Sequence, residues 1–167
     1  MKLRVLAAVV PAIAALTLAA PAIPAAAATP VITASYTITY TCTGGPGCTV
    51  GGTYTHTYLL AVDCHGVISG TGGQAGAPDV LESVSGALGF KLADRTLTVN
   101  LVSTYVGSYP GLTTTISGTV DPRTGALSGT ATSQWPGNPG YSATFTVQGT
   151  RDAFTVNPSA CRGEDDD

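Results

Sequence analysis

One histidine stands between two tyrosines in the run Thr53-Tyr54-Thr55-His56-Thr57-Tyr58. In an extended chain, successive side chains point to opposite faces, so Tyr54, His56 and Tyr58 share one face and the threonines share the other. The unbroken threonine row is the wettable one, which makes the histidine row the buried one. A buried imidazole loses its charged form to desolvation unless a carboxylate compensates. Glu82 has the parity of Val80, Val84 and Leu88 and is the acid placed to do so. The two groups together offer a ring nitrogen and one negative charge, enough to hold the polar end of a ligand or to move a proton.

Tyr36, Tyr40, Tyr105, Trp135 and Tyr141 also alternate with polar residues. With Tyr54, His56, Tyr58 and Glu82 they form the candidate ligand-binding set. An aromatic interior carrying one imidazole and one carboxylate has the make-up of a small-molecule pocket. The competing arrangement is a filled core, in which the phenols bond to backbone and His56 is neutral and satisfied.

Other groupings fall short of a mechanism. Asp63, Cys64 and His65 are adjacent, but strand neighbours face opposite ways, so adjacency builds no dyad. A disulfide-bonded Cys64 is no nucleophile. The pattern Gly-x-Ser-x-Gly of a nucleophile elbow is absent. A carboxylate pair for sugar chemistry would need Glu82 beside Asp79 or Asp63, which nothing in the sequence brings together. A metal site built from Cys42, Cys48, Cys64, His56 and His65 would lack the close cysteine pairs of zinc sites. No catalytic residue, metal or cofactor is therefore expected.

The elements that position these residues follow an export signal. Lys2 and Arg4 precede an uncharged apolar stretch from Val5 to Ala20, Pro21 and Pro24 break it, and Ala26-Ala27-Ala28 offers a small-x-small cleavage site. Residues 1–28 are thus expected to be a cleaved signal peptide. Residues 29–161 are expected to form a single disulfide-bonded β domain, and 162–167 an acidic disordered tail. No later stretch is apolar for long enough to span a bilayer, so the mature protein is expected to be secreted, to the medium or the cell envelope.

From Thr29 onward there are five basic and ten acidic side chains, a net charge of −5, and the last four residues supply four of the acids. A surface so poor in Lys and Arg cannot neutralise a run of phosphates, which excludes nucleic acid as a partner.

Alternation of apolar and polar residues predicts eight strands, over 32–42, 53–64, 67–71, 80–90, 96–106, 112–120, 126–135 and 141–150, with a short ninth at 153–156. No stretch of the mature chain carries an apolar stripe at helical spacing. Asp121-Pro122-Arg123-Thr124-Gly125 is a hairpin turn, because Pro presets the first turn residue and Gly supplies the positive φ that closes it. Ala93-Asp94-Arg95 and His65-Gly66 are shorter turns, and Gly72-Gly73-Gln74-Ala75-Gly76 lies in the loosest link. Ile-Ser-Gly-Thr occurs at 68–71 and 116–119, with Leu-Ser-Gly-Thr at 127–130.

Short strands joined by tight links predict an all-β fold, a small antiparallel up-and-down barrel of about eight strands, since closure removes exposed edges. A two-sheet β-sandwich is the alternative. The layout is similar to that of avidin-like and lipocalin-like barrels, although no residue motif of either family is present. Trp135 is the single tryptophan, so the multi-tryptophan pocket of avidins is missing.

Four cysteines in an exported chain imply two disulfides. In a meander, the end of the second strand and the end of the eighth lie at the same barrel end, which pairs Cys64 with Cys161. Cys42 and Cys48 flank a Gly-Gly-Pro-Gly loop at the opposite end and form the second bridge.

These expectations amount to a secreted, non-catalytic β-barrel binding module for a small, largely apolar ligand. A protein-interaction or inhibitor module, acting on another extracellular protein through Gly/Pro-rich loops, is the alternative. A small hydrolase or lyase using His56 and Glu82 is the second.

Overall fold

A computed structural model describes residues 30–92 and 95–161. The expected signal peptide, the acidic tail beyond Cys161 and the Ala93-Asp94 part of one expected turn lie outside them. The described chain is all-β: β1 (Ile32–Gly44), β2 (Thr53–Val62), β3 (Val67–Gln74), β4 (Leu81–Lys91), β5 (Thr96–Tyr105), β6 (Thr113–Val120), β7 (Leu127–Gln134) and β8 (Ser142–Val156). Each strand pairs antiparallel with the next, and β8 returns to pair with β1, so the sheet is a closed up-and-down barrel with no open edge. The sandwich alternative is excluded by that last ladder.

Alternation decides which side chains fill the barrel. On β1, Tyr36, Ile38, Tyr40 and Cys42 are buried, while the threonines between them are more exposed. Ile38, Tyr58, Leu101, Ile116 and Val147 come from five strands and are almost wholly buried, forming a waist across the barrel. The recurring Ile/Leu-Ser-Gly-Thr motif follows from this packing. It puts an aliphatic residue and then a glycine on the inner face, and Ser and Thr outside. Gly118 and Gly129 are paired across β6 and β7, where a Cβ on either would strike the other strand's backbone.

Two strands depart from expectation. β3 runs on through Gly72, Gly73 and Gln74, the stretch expected to be a loose link. Glycines weaken strand propensity, but here Gly72 lies in a ladder between two paired strands, with Tyr58 on one side and Glu82 on the other. β8 absorbs the expected ninth strand. A register shift against Ser35 and Tyr36 leaves Asp152 unpaired as a bulge, and the strand continues to Val156 beyond it. Asp152 points outward and accepts a hydrogen bond from Thr37 Oγ1 at 2.8 Å.

The β6–β7 connection forms as its sequence predicts. Gly125 has φ 75°, and its amide donates to the Asp121 carbonyl at 2.7 Å. The amides of Arg123 and Thr124 donate to Asp121 Oδ1. Those bonds, Thr124's first, hold the Asp121 carboxyl below its ordinary pKa.

Cys42 is bonded to Cys48 and Cys64 to Cys161, with Cα separations of 6.2 and 5.6 Å. Strand order alone predicts both pairings. The first bridge spans a separation of 6 residues and the second 97. Chain-entropy reasoning assigns the long bridge about 4–5 kcal/mol and the short one about 2 kcal/mol. Urea unfolding should therefore show the Cys64→Ser/Cys161→Ser pair losing about 2 kcal/mol more than Cys42→Ser/Cys48→Ser. Equal losses would mean that the long bridge strains the native barrel or that the unfolded chain is already compact.

Candidate functional site

The waist divides the interior into two cavities that share no lining residue. The upper one, about 220 Å³, opens at the end that carries the Cys42–Cys48 loop and the links 75–80, 106–112 and 135–141. Its lining is aromatic, with Tyr40, Tyr54, His56, Tyr105 and Phe145 deeper and Tyr109, Trp135 and Tyr141 towards the mouth.

His56 is only 3% exposed. Its Nδ1 lies 2.5 Å from Glu82 Oε1. Tyr58 donates its O–H to Glu82 Oε2 at 2.8 Å, and the Ser103 hydroxyl donates to the same oxygen. Burial alone would raise the Glu82 pKa, but the contacts from His56, Ser103 and Tyr58 outweigh it and hold the carboxyl below its ordinary value. An ionised carboxylate only accepts, so His56 Nδ1–H is the donor, and Nε2 is the ring nitrogen left for an occupant of the cavity. Tyr58 has spent its proton on Glu82, so the 2.7 Å contact between phenols has Tyr40 donating to Tyr58. Burial pushes the phenols of Tyr40, Tyr58 and Tyr105 well above their ordinary 10, which keeps them neutral.

The backbone row that builds this cluster is Tyr58, Gly72, Glu82 and Tyr105, directly opposed across β2, β3, β4 and β5. Gly72 is the gap in that row. A methyl on it would overlap the Tyr58 ring, so only glycine lets the tyrosine lie across β3 to reach Glu82 two strands away.

Towards the mouth, Trp135 Nε1 donates to the Pro110 carbonyl at 3.2 Å. Its ring meets Tyr109 and Tyr141 edge-on, with centroids 5.7 and 6.2 Å apart. Tyr40 meets His56 in the same manner at 5.1 Å. Thr114 and Ser133 hydroxyls lie 2.7 Å apart on the opposite wall.

Of the residues singled out from sequence, Tyr40, Tyr54, His56, Tyr105, Trp135 and Tyr141 line the upper cavity. Tyr58 and Glu82 stand behind His56 and hold it. Tyr36 belongs to the other cavity, on the far side of the waist. Sequence reasoning passed over Gln74, Ser103, Tyr109, Thr114, Ser133 and Phe145. Parity with Ile68, Leu101, Ile116, Ala131 and Val147 would have found all but Tyr109, which sits in a loop with φ 65°. The four cysteines are all bonded, and no group of three or more His, Cys, Asp or Glu converges among the described residues.

The fold and this cluster together define an eight-stranded antiparallel barrel with a buried Glu–His pair beneath an aromatic cup. Comparison with family models, curated proteins and solved structures finds no match for this chain.

Two results test the geometry. Gly72→Ala should cost about 1–3 kcal/mol in urea unfolding, because overpacking has no outlet within a closed ladder. Glu82 has a folded-state pKa below its unfolded one, so its contribution is fully present above the unfolded value near ~4.3. It is lost as pH falls through the lower folded value. The melting temperature of wild type should thus exceed that of Glu82→Gln at pH 7, and the two curves should converge below about pH 4. Parallel curves throughout would show that Glu82 is not charged in the folded barrel.

Proposed function

We propose that this chain is an exported binding protein whose aromatic cup holds one small ring compound, with a hydroxyl or similar polar group of that compound on His56. The observation that carries this reading is the orientation of the buried pair. Glu82, held in turn by the Tyr58 and Ser103 hydroxyls, fixes the imidazole with Nδ1 turned away, and His56 lines a largely aromatic cavity that also carries Gln74, Thr114 and Ser133. Size supports a small ligand. A dry cavity of about 150 Å³ accepts benzene, so a cup of about 220 Å³ suits a substituted ring. Export accords with the two disulfides, which persist in oxidising compartments.

An enzymatic use of the same pair has less behind it. A general base needs a proton to take, and among the described residues no serine or threonine hydroxyl is bonded to His56. Ser103, the nearest hydroxyl to the pair, donates to Glu82 instead.

Trp135 is the single tryptophan of the chain and lies in the cup wall, so ligand entry has a built-in reporter. Titration of the mature chain with phenol, indole and p-cresol should change its emission. Anisole, which lacks the hydroxyl proton, should bind roughly tenfold more weakly than phenol, the value of one hydrogen bond to a buried partner. His56→Gln keeps a donor for Glu82 but withdraws the ring nitrogen, and should bring phenol and anisole to parity. No emission change with any of these compounds, or a phenol preference that survives His56→Gln, would refute this assignment.

A further inference from the structure

We propose that the lower cavity is a second binding site, which takes a medium-chain alkyl carboxylate with its tail inside the barrel and its headgroup on Arg151. This inference is independent of the reading of the upper cup. The lower cavity also measures about 220 Å³ and opens at the barrel end that carries the Cys64–Cys161 bridge. Ile38 and Leu101 are fully buried and form its floor, and Leu88 and Leu97 are among the half-buried aliphatic residues of its walls. At ~30 Å³ for each water-sized group, the space holds roughly seven, which is the bulk of a medium alkyl chain rather than of a polar metabolite.

Among the described residues, Arg151 is the one charged side chain that lines this cavity. It comes there through the β8 bulge. Without the unpaired Asp152, Arg151 and Phe154 would face opposite sides; the extra residue puts both on the inner face, with the guanidinium 4.4 Å from the Phe154 ring centre. On its other side, Arg151 lies over Gly125, where any Cβ would strike it, and one guanidinium nitrogen donates to the Arg123 carbonyl at 3.4 Å. Among the described residues no carboxylate forms an ion pair with Arg151. Asp152 is turned outward to Thr37, and Asp121 is taken by backbone amides of its own turn. The guanidinium is therefore oriented, lacks a counter-ion among these groups and sits over an apolar well in a protein that is acidic overall. Its fork matches a carboxylate. Tyr36 lines the same cavity; burial raises the pKa of its phenol and the Arg151 charge partly offsets that, so it stays a neutral donor within reach of that charge.

Calorimetry on the oxidised mature chain with hexanoate, octanoate and decanoate tests the proposal. Affinity should rise about fourfold per methylene, the equivalent of ~0.8 kcal/mol, until the cavity is full. Arg151→Met should weaken decanoate roughly tenfold to a hundredfold, the range for a charge-assisted hydrogen bond, and leave 1-decanol unchanged. Ala34→Phe, which fills the cavity from β1, should abolish binding of both. Phenol in the upper cup should not compete, and Trp135 emission should not respond to decanoate. The proposal is overturned if chain length has no effect, if decanoate competes with phenol, or if Arg151→Met treats acid and alcohol alike. Should Arg151→Met fail to fold, Ala34→Phe decides alone, and undiminished decanoate binding to it overturns the site.

Discussion

β1 and β8 are the two ends of the described chain, and the ladder between them turns a curled sheet into a tube. It is the longest pairing in the molecule, twelve register pairs from Ile32 to Gly44. Without it each terminal strand would present a row of unpaired amides and carbonyls, the feature through which sheets aggregate. Closure also creates the interior, because Tyr36, Ile38 and Tyr40 on β1 become buried only when β8 brings Phe145, Val147 and Arg151 alongside. The Cys64–Cys161 bridge lies just beyond this ladder and ties the chain leaving β8 to the end of β2. Covalent and hydrogen-bonded closure therefore act at the same place.

Within that tube the most demanding group is Glu82. Moving a carboxylate out of water is expensive, and replacing a buried ionic cluster by packed aliphatic residues often stabilises a protein. This barrel supplies three donors to one carboxylate, from β2 and β5, and lays Tyr58 across a glycine to provide one of them. Satisfying the charge so fully makes the cluster rigid, and its rigidity fixes the direction of the imidazole. An apolar core at this level would pack as well and present no polar group to the upper cavity. The cluster is better understood as orienting His56 than as holding the barrel together.

The distribution of size along the inner faces explains how eight strands enclose both a filled waist and two cavities. An eight-stranded barrel is just wide enough for side chains to fill it. Inward glycines at 70, 72, 86, 118, 129 and 149 remove volume at chosen levels, and large residues from other strands take the space. At the waist the exchange is complete and the interior is solid. Above and below it the exchange is incomplete, and a cavity lies on each side.

Much of this was legible in the chain because period two is strictly local. Thr53, Thr55 and Thr57 dictate that His56 faces inward whatever the rest of the fold does. Asp121 to Gly125 dictates its own hairpin, and a meander with tight links leaves the four cysteines one natural pairing. Other features depend on partners distant in sequence. Gly72 and Gly73 carry no strand propensity, and only β2 and β4 on either side make them part of a ladder. The bulge at Asp152 is visible only against β1, yet it reverses the parity that places Phe154. Tyr36 and Tyr40 look alike in the sequence, four residues apart on one face, and the waist assigns them to different cavities. Alternation specifies which way a side chain points. How far the barrel is filled at each level, and so whether that side chain meets a cavity or a neighbour, depends on eight strands at once and is decided only when they close.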